Sequence, residues 1–291
     1  MRQVSAGGVA KAGPPVTQEL PAPRGHGRRI KYSGRPMMEG ATPALYADRM
    51  GNITKTALVT GGNKGIGLAV VRQLAAQGYT TWLGSRDEAR GQAAASALAE
   101  AGDVRFVALD VTDDASVAAA AAQIGAQTSS LDLLVNNAGI YLAAGDGQPS
   151  AVQFDTLRAT YDVNVFGPLR VTRAFLPLLR ATSNARIVMV GSGLGSLALQ
   201  SDPSNGFSRW PAFAYSSSKT ALNALTVGLA NELRGEGIAV TVVNPGFVAT
   251  DLNGNTGTLT TDEGARMVMR AVQVPLSGSG SFVNDDGTFP W

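Results

Sequence analysis

"TALVTGGNKGIGLAVVRQLAAQ", Thr56 to Gln77, sets a short β-rich run against a glycine-rich turn and then an alanine- and leucine-rich segment of helical length. A run that is apolar on both faces predicts a strand inside a parallel sheet, and residues 65–77 predict a helix. Gly61, Gly65 and Gly67 let the chain turn tightly, approach a pyrophosphate with bare backbone and open a helix whose free N–H groups face it. Asn63, Lys64 and Ile66 complete that turn and are expected at the same ligand. No Gly-Lys-Ser/Thr follows at the spacing of a phosphate-loop NTPase. The competing use of such glycines is a plain tight turn between strand and helix.

The alternation continues along the chain. "YTTWL", "VRFVAL", "LDLLV", "ARIVMV" and "IAVTVV" read as strands; 87–101, 113–127, about 153–180 and 213–234 read as helices between or beside them. Right-handed crossovers then give a Rossmann-type doubly wound parallel sheet, a three-layer α/β/α single domain over residues 50–291. Ligands of such sheets bind beyond the carboxyl ends of the strands, so the residues after each strand carry the chemistry.

Composition narrows that chemistry. The 291 residues are 44 % apolar and contain no cysteine, which removes disulfides, thiolate nucleophiles and Cys-ligated zinc. The one histidine, His26, precedes the alternating region, so a Ser-His-Asp triad or a His-based metal site is excluded there and no metal is expected. Acid–base work falls to Tyr, Lys, Asp or Glu. Residues 1–49 hold eight Lys/Arg against three Asp/Glu, whereas residues 50–291 hold sixteen against nineteen. The body therefore offers no basic surface for nucleic acid, and no run approaches the roughly 18 apolar residues of a membrane span. The Pro/Gly/Arg-rich residues 1–49 are expected to be a disordered lead, or an over-long start with the true one at Met38 or Met50.

Strand 2 ends in "WLGSRD". An acid about 20 residues past the glycines selects the unphosphorylated dinucleotide, but Ser85 stands there, followed by Arg86. Ser85 can hydrogen-bond a 2′-phosphate, Arg86 can pair with it through its planar fork, and Lys64 adds a second cation. The cofactor expected is NADP(H). After strand 3, Asp110, with Val111 beside it, can accept a hydrogen bond from the adenine amino group, and Thr112 is the expected cap of the next helix. After strand 4, "NNAG" offers two amides, Asn136 and Asn137, that can tie neighbouring strand ends together and border the adenosine side of the site. "AYSSSKTAL" puts Tyr215 and Lys219 four residues apart, on one face of a helix.

From about Met50 to Trp291 the chain resembles a short-chain dehydrogenase/reductase. "TGGNKGIG" with the helix that follows, "NNAG" and "PGFVATDLNG…DEGA" are most similar to the carbonyl reductase branch. The resemblance implies hydride transfer between a nicotinamide and a carbonyl carbon. It gives Asn164 a water-anchoring role, Ser192 a hydrogen bond to the substrate oxygen, Tyr215 the proton and Lys219 the ribose hydroxyls. It also implies that Pro245, Gly246, Val248 and Thr250 hold the nicotinamide carboxamide. An ordinary tyrosine titrates near 10, and the Lys219 ammonium together with the oxidised cofactor is expected to lower that.

The 22 residues between Ser192 and Tyr215 carry Phe207, Trp210 and Phe213, which either line an apolar pocket or pin the loop to the core. Tyr141, Leu142, Phe247, Leu252 and Trp291 are further wall candidates. The expected activity is cytoplasmic, NADP(H)-dependent reduction of aldehydes, ketones or quinones by a monomer or homo-oligomer. The alternatives are a dehydrogenase or ketoreductase dedicated to one steroid, terpenoid or acyl-thioester, and a non-catalytic NADP(H) sensor. The small-molecule substrate is the one partner expected.

Overall fold

The computed structural model describes residues 54–291. What the sequence implies for residues 1–49, His26 included, lies outside the described residues. Strands β1 (Thr56–Thr60), β2 (Thr80–Ser85), β3 (Val104–Ala108), β4 (Leu133–Asn136), β5 (Arg186–Val190) and β6 (Ala239–Val243) are all parallel and lie in the order β3-β2-β1-β4-β5-β6. β7 (Phe282–Asn284) adds in parallel to β6, and β8 (Gly287–Thr288) turns back antiparallel on β7. The strand order reverses between β1 and β4, and a crevice opens there at the carboxyl ends of the strands.

Helices α1 (Gly65–Ala76), α2 (Glu88–Ala97), α3 (Asp114–Gly125), α4 (Phe154–Tyr161), α5 (Gly167–Arg180), α6 (Leu197–Gln200), α7 (Phe213–Leu233) and α8 (Thr261–Val272) complete the fold. The side chains of one strand supply two cores. Leu58 packs with Trp82, Leu134, Ile187 and Phe175 on the face covered by α3, α5 and α7. Its neighbours Ala57 and Val59 pack with Val70, Val135 and Val268 on the face covered by α1 and α8. Each fully buried aliphatic side chain stabilises by about 1.5–3 kcal/mol, which is why these strands are apolar without alternation. Among the described residues no helix is long and apolar enough to cross a membrane.

Three details differ from the sequence reading. The helix expected over about 153–180 is interrupted by a π turn at Asp162–Phe166, which holds Asn164. The cap of α3 is Asp113, whose carboxylate accepts from Ala115 N at 2.9 Å; Thr112 instead donates its hydroxyl to Asp110. β7, β8 and α8 lie in stretches the sequence analysis gave no element, because the two strands are only two or three residues long and follow a Gly/Ser run.

Candidate active site

The glycine turn follows β1 as the pattern requires, with Gly61 at φ +62° and Gly65 at φ +57°. A Cβ on Gly67 would stand 2.4 Å from the Gly61 carbonyl, so only glycine lets α1 start this close to the turn. Lys64 precedes α1 with no side-chain cap, and the first amides of the helix face the cleft. The cleft holds about 800 Å³ and runs from Arg86 and Asp110 at one end to Tyr141, Trp210 and Phe247 at the other. Asn137 fixes its floor: its side chain donates to the carbonyls of Thr60 (2.9 Å) and Gly61 (3.1 Å). Thr60 Oγ1 in turn accepts from the amides of Asn137 and Ala138, both at 3.0 Å.

These features fit a dinucleotide. Bare glycine backbone and a helix start offer N–H groups to a pyrophosphate, and Ser85 with Arg86 stands where an acid would read the ribose. Among the described residues Arg86 makes no ion pair, whereas Lys64 is bonded to Asp251 at 2.9 Å. Arg90 also lines this end, paired with Asp87 at 3.1 Å. Asp110 is held below the usual carboxylate range. Burial alone would raise it, but the hydroxyl and amide of Thr112 and the charges of Arg86 and Arg170 outweigh that.

At the other end, α7 presents Tyr215 and Lys219 to the cleft, where Ser192 faces the tyrosine from the end of β5. Burial pushes Tyr215 up to about 12, with the Ser192 hydrogen bond pulling the other way. Burial also pushes Lys219 down to about 8. Burial sets this direction; the lowering expected from Lys219 is one that acts together with an oxidised nicotinamide. The Lys219 ammonium is bonded to the Val190 carbonyl at 2.8 Å and sits 5.6 Å from the Tyr215 ring centre, and desolvation of the phenol dominates. In this state Tyr215 carries its proton at neutral pH.

Asn164 is buried behind this pair. Its Oδ1 accepts from Ile140 N at 2.8 Å, and its Nδ2 donates to Ile140 O and Ser218 Oγ, each at 3.0 Å. A Cβ on Gly139 would lie 3.4 Å from Asn164 Oδ1 and 3.7 Å from Lys219 Nζ, so the two surround one glycine. The side chain thus joins the Ile140 main chain to Ser218 on α7. After β6, Asn244 Oδ1 accepts from Gly193 N (3.1 Å) and Gly246 N (3.2 Å), tying the Ser192 loop to the Pro245–Gly246 turn.

Gly61, Asn63, Lys64, Gly65, Ile66, Gly67, Ser85, Arg86, Asp110, Val111, Pro245, Gly246, Val248 and Thr250 all line the cleft. Asn136, Phe207, Phe213 and Trp291 do not, and Asn164 lies buried behind the lining. Asn136 turns its amide away to Thr172 Oγ1 (3.1 Å) on α5, because the side chains of successive residues at the end of β4 point to opposite faces. Asn137 takes the cleft position. Phe207 packs against Gly193, where an added Cβ would lie 2.8 Å from its ring. Trp291 packs on Phe282, ring centres 5.5 Å apart, and its carbonyl accepts from Ala198 N. Tyr141, Leu142, Trp210, Phe247 and Leu252 form the apolar wall. The tie expected of the two amides after β4 is made by Asn137, whereas Arg90 and Asn244 were not foreseen from the sequence; the spacing of Arg86 and Arg90, four apart across the start of α2, was the signal for one of them.

A dinucleotide-binding sheet with a tyrosine–lysine helix beneath its switch point defines a class of oxidoreductases, and comparison with known proteins narrows it. Residues 55–259 match the profile of the family described as short chain dehydrogenase. The short-chain dehydrogenase anuI of Penicillium roqueforti (strain FM164) is 35 % identical over 255 residues, covering 83 % of this chain and all of that protein. The (+)-neomenthol dehydrogenase of Arabidopsis thaliana is 34 % identical over 272 residues, covering 75 % and 91 %. The NADPH-bound carbonyl reductase from chicken fatty liver superposes with a TM-score of 0.73 at 30 % identity, covering 82 % of this chain and 99 % of that one. The chain belongs to the short-chain dehydrogenase/reductase family of oxidoreductases.

Proposed function

We propose that this protein reduces apolar, uncharged carbonyl compounds to alcohols with NADPH, Tyr215 donating the proton. The observation that carries the reading is the placement of Tyr215, Lys219 and Ser192 at one end of the cleft whose other end is the glycine turn with Ser85 and Arg86. A phenol that keeps its proton at neutral pH can give it to an oxygen that is gaining charge. NADPH, when bound, supplies the hydride. The carbonyl carbon gains that hydride, the oxygen keeps the former π pair, and the Tyr215 proton completes the alcohol. Ser192 holds the same oxygen as its charge develops, and the Lys219 ammonium beside the ring stabilises the phenolate left behind.

Preference for the phosphorylated cofactor is supported by Arg86 without an acidic partner, by Ser85 where an acid would stand, and by the NADPH-bound carbonyl reductase of similar structure. The substrate class follows from the wall, where Tyr141, Leu142, Trp210, Phe247 and Leu252 bring no charge. Reduced-nicotinamide absorbance, followed with aldehydes, ketones, quinones and α-dicarbonyls, tests the proposal with NADPH and NADH in parallel. Turnover led by NADPH and abolished in Tyr215→Phe supports it; tight NADPH binding with no turnover of any carbonyl overturns it. A second reading, one dedicated cyclic alcohol or ketone, is favoured by the relative named as a neomenthol dehydrogenase. It predicts one substrate ahead of all others by at least about 10²-fold, on the scale of a site built for one substrate.

A further inference from the structure

The first turn of α7 has no cap of its own. Ala212 precedes it, and alanine offers no side-chain acceptor for the three amides that open the helix. Those amides are satisfied from the loop after β4, about seventy residues away in sequence. Asp146 Oδ1 accepts from Ala214 N at 2.8 Å, its Oδ2 accepts from Tyr215 N at 3.1 Å, and the Gly147 carbonyl accepts from Phe213 N at 2.9 Å. The same Oδ1 accepts from Gly147 N at 2.8 Å, which closes the loop on itself.

That loop is anchored elsewhere as well. Gly145, at φ +85°, passes so close to the start of α4 that a Cβ would stand 2.4 Å from Thr156 Oγ1. Its carbonyl accepts from Gln153 N at 2.8 Å, and Thr156 donates to the Ala144 carbonyl. The loop also carries the cleft residues Tyr141 and Leu142, and the Tyr141 ring meets the Tyr215 ring edge-on at 5.5 Å. Burial raises the Tyr141 phenol, and the Asp146 charge raises it further, so the carboxylate acts on this corner of the site as well as on the helix.

We propose that Asp146 is a positioning residue for the reaction: its two carboxylate oxygens clamp the main chain of Ala214 and Tyr215 to the loop bearing Tyr141 and Leu142. Proton donor and substrate wall are then held as one unit. The inference rests on Tyr215 being the proton donor. A carboxylate at a helix start also gains from the helix dipole, so neutral asparagine at 146 loses charge and one acceptor together.

The test compares Asp146→Asn and Asp146→Ala with the wild type at a temperature well below the unfolding of each variant. Turnover is expected to fall about tenfold in Asp146→Asn and about 10²-fold in Asp146→Ala, the scale of a sub-ångström to ångström misplacement, while NADPH affinity holds within about threefold. Hydrogen exchange is expected to quicken at the amides of residues 213–215 and of the 140–147 loop together, with β1 and β4 unchanged. A merely structural cap predicts faster exchange and a lower melting temperature with turnover intact, and that result overturns the proposal. Loss of NADPH affinity in step with turnover, from a general collapse of the cleft, overturns it too. A wild type that binds NADPH but turns over no carbonyl defeats the underlying reading instead. Concerted exchange in the two segments then still decides whether Asp146 clamps them.

Discussion

Lys64 and Asp251 meet across the mouth of the cleft, Nζ to Oδ2 at 2.9 Å, and join the glycine turn to the loop after β6. The hydrogen bond and charge of Lys64 hold the Asp251 carboxyl below its usual range, so the pair persists through neutral pH and is lost as pH falls through that lowered value. A lysine with a carboxylate partner must exchange it before it can serve a 2′-phosphate; Arg86 need not. Asp251→Asn is therefore expected to tighten NADPH about threefold to tenfold, up to about 1.4 kcal/mol, with NADH unchanged. Arg86→Asp is expected to shift preference towards NADH more than Lys64→Ala does. Fluorescence titration of both cofactors measures all three variants, and an unchanged cofactor ratio in Arg86→Asp would assign the phosphate to Lys64 or Arg90.

Tyr215→Phe removes the acid and leaves the ring that Tyr141 packs against. Turnover is expected to fall by about 10²-fold or more with NADPH affinity unchanged, since the hydroxyl acts on the substrate. Steady-state rates and a cofactor titration on the same preparation separate the two effects. Retained turnover removes Tyr215 from the chemistry.

Lys219 costs the fold stability for the sake of the site. Its buried ammonium titrates near 8 where an ordinary lysine titrates at 10.5, so below pH 8 both folded and unfolded chains carry the proton and the folded state bears the full penalty. Between about 8 and 10.5 the folded protein releases its proton first, and stability rises with pH. At about 1.4 kcal/mol per unit the penalty approaches about 3 kcal/mol. Lys219→Met relieves it and leaves the Val190 carbonyl unpaired, at about 1 kcal/mol. The variant is expected to be about 1–2 kcal/mol more stable at pH 7, to lose that advantage by about pH 10.5, and to be impaired in turnover. Urea unfolding at the two pH values checks it, and a destabilised variant at pH 7 would mean the Val190 bond outweighs desolvation.

Strands and glycine turn were legible because their signals are local: apolar runs of strand length, and residues that must lack a Cβ. Helix spacing put Tyr215 and Lys219 on one face, and the family resemblance, with the strand-end position, pointed to Ser192; all three line the cleft. What stayed hidden depends on distant partners. Asn136 and Asn137 are chemically identical neighbours, and only the side each takes at the end of β4 assigns one to Thr172 and the other to the cleft. Asp146 and Lys64 show no feature in sequence that names Tyr215 N or Asp251 as partner. Phe207 and Trp210 sit three apart in one loop, yet one pins it to Gly193 and the other faces the cleft.

That last contrast is testable. Trp210 is 53 % exposed at the apolar wall, so its loss removes contact surface for a substrate and little packing. Trp210→Ala is expected to raise KM about tenfold for a bulky cyclic ketone, the effect of losing part of an aromatic contact, with a small aldehyde and NADPH unaffected. Phe207→Ala is expected to lower the melting temperature instead. Equal KM values for both substrates in Trp210→Ala would place the pocket elsewhere.

Thr60 is where fold and cofactor cleft meet. Its hydroxyl is buried and accepts two amides, those of Asn137 and Ala138, at the point where β1 passes into the glycine turn. Valine matches its shape and removes the acceptor, which leaves the Ala138 N–H without a partner, whereas Asn137 N keeps the Val135 carbonyl at 3.1 Å. At about 1–3 kcal/mol for an unsatisfied buried group, Thr60→Val is expected to lose about 1–3 kcal/mol in unfolding free energy. The surviving fold should also bind NADPH more weakly, because Asn137 holds the carbonyls of Thr60 and Gly61 while its own amide and that of Ala138 each lose the Thr60 acceptor. Chemical unfolding and cofactor titration measure the two losses. A stable variant with normal affinity would show that neither the turn nor Asn137 depends on the hydroxyl.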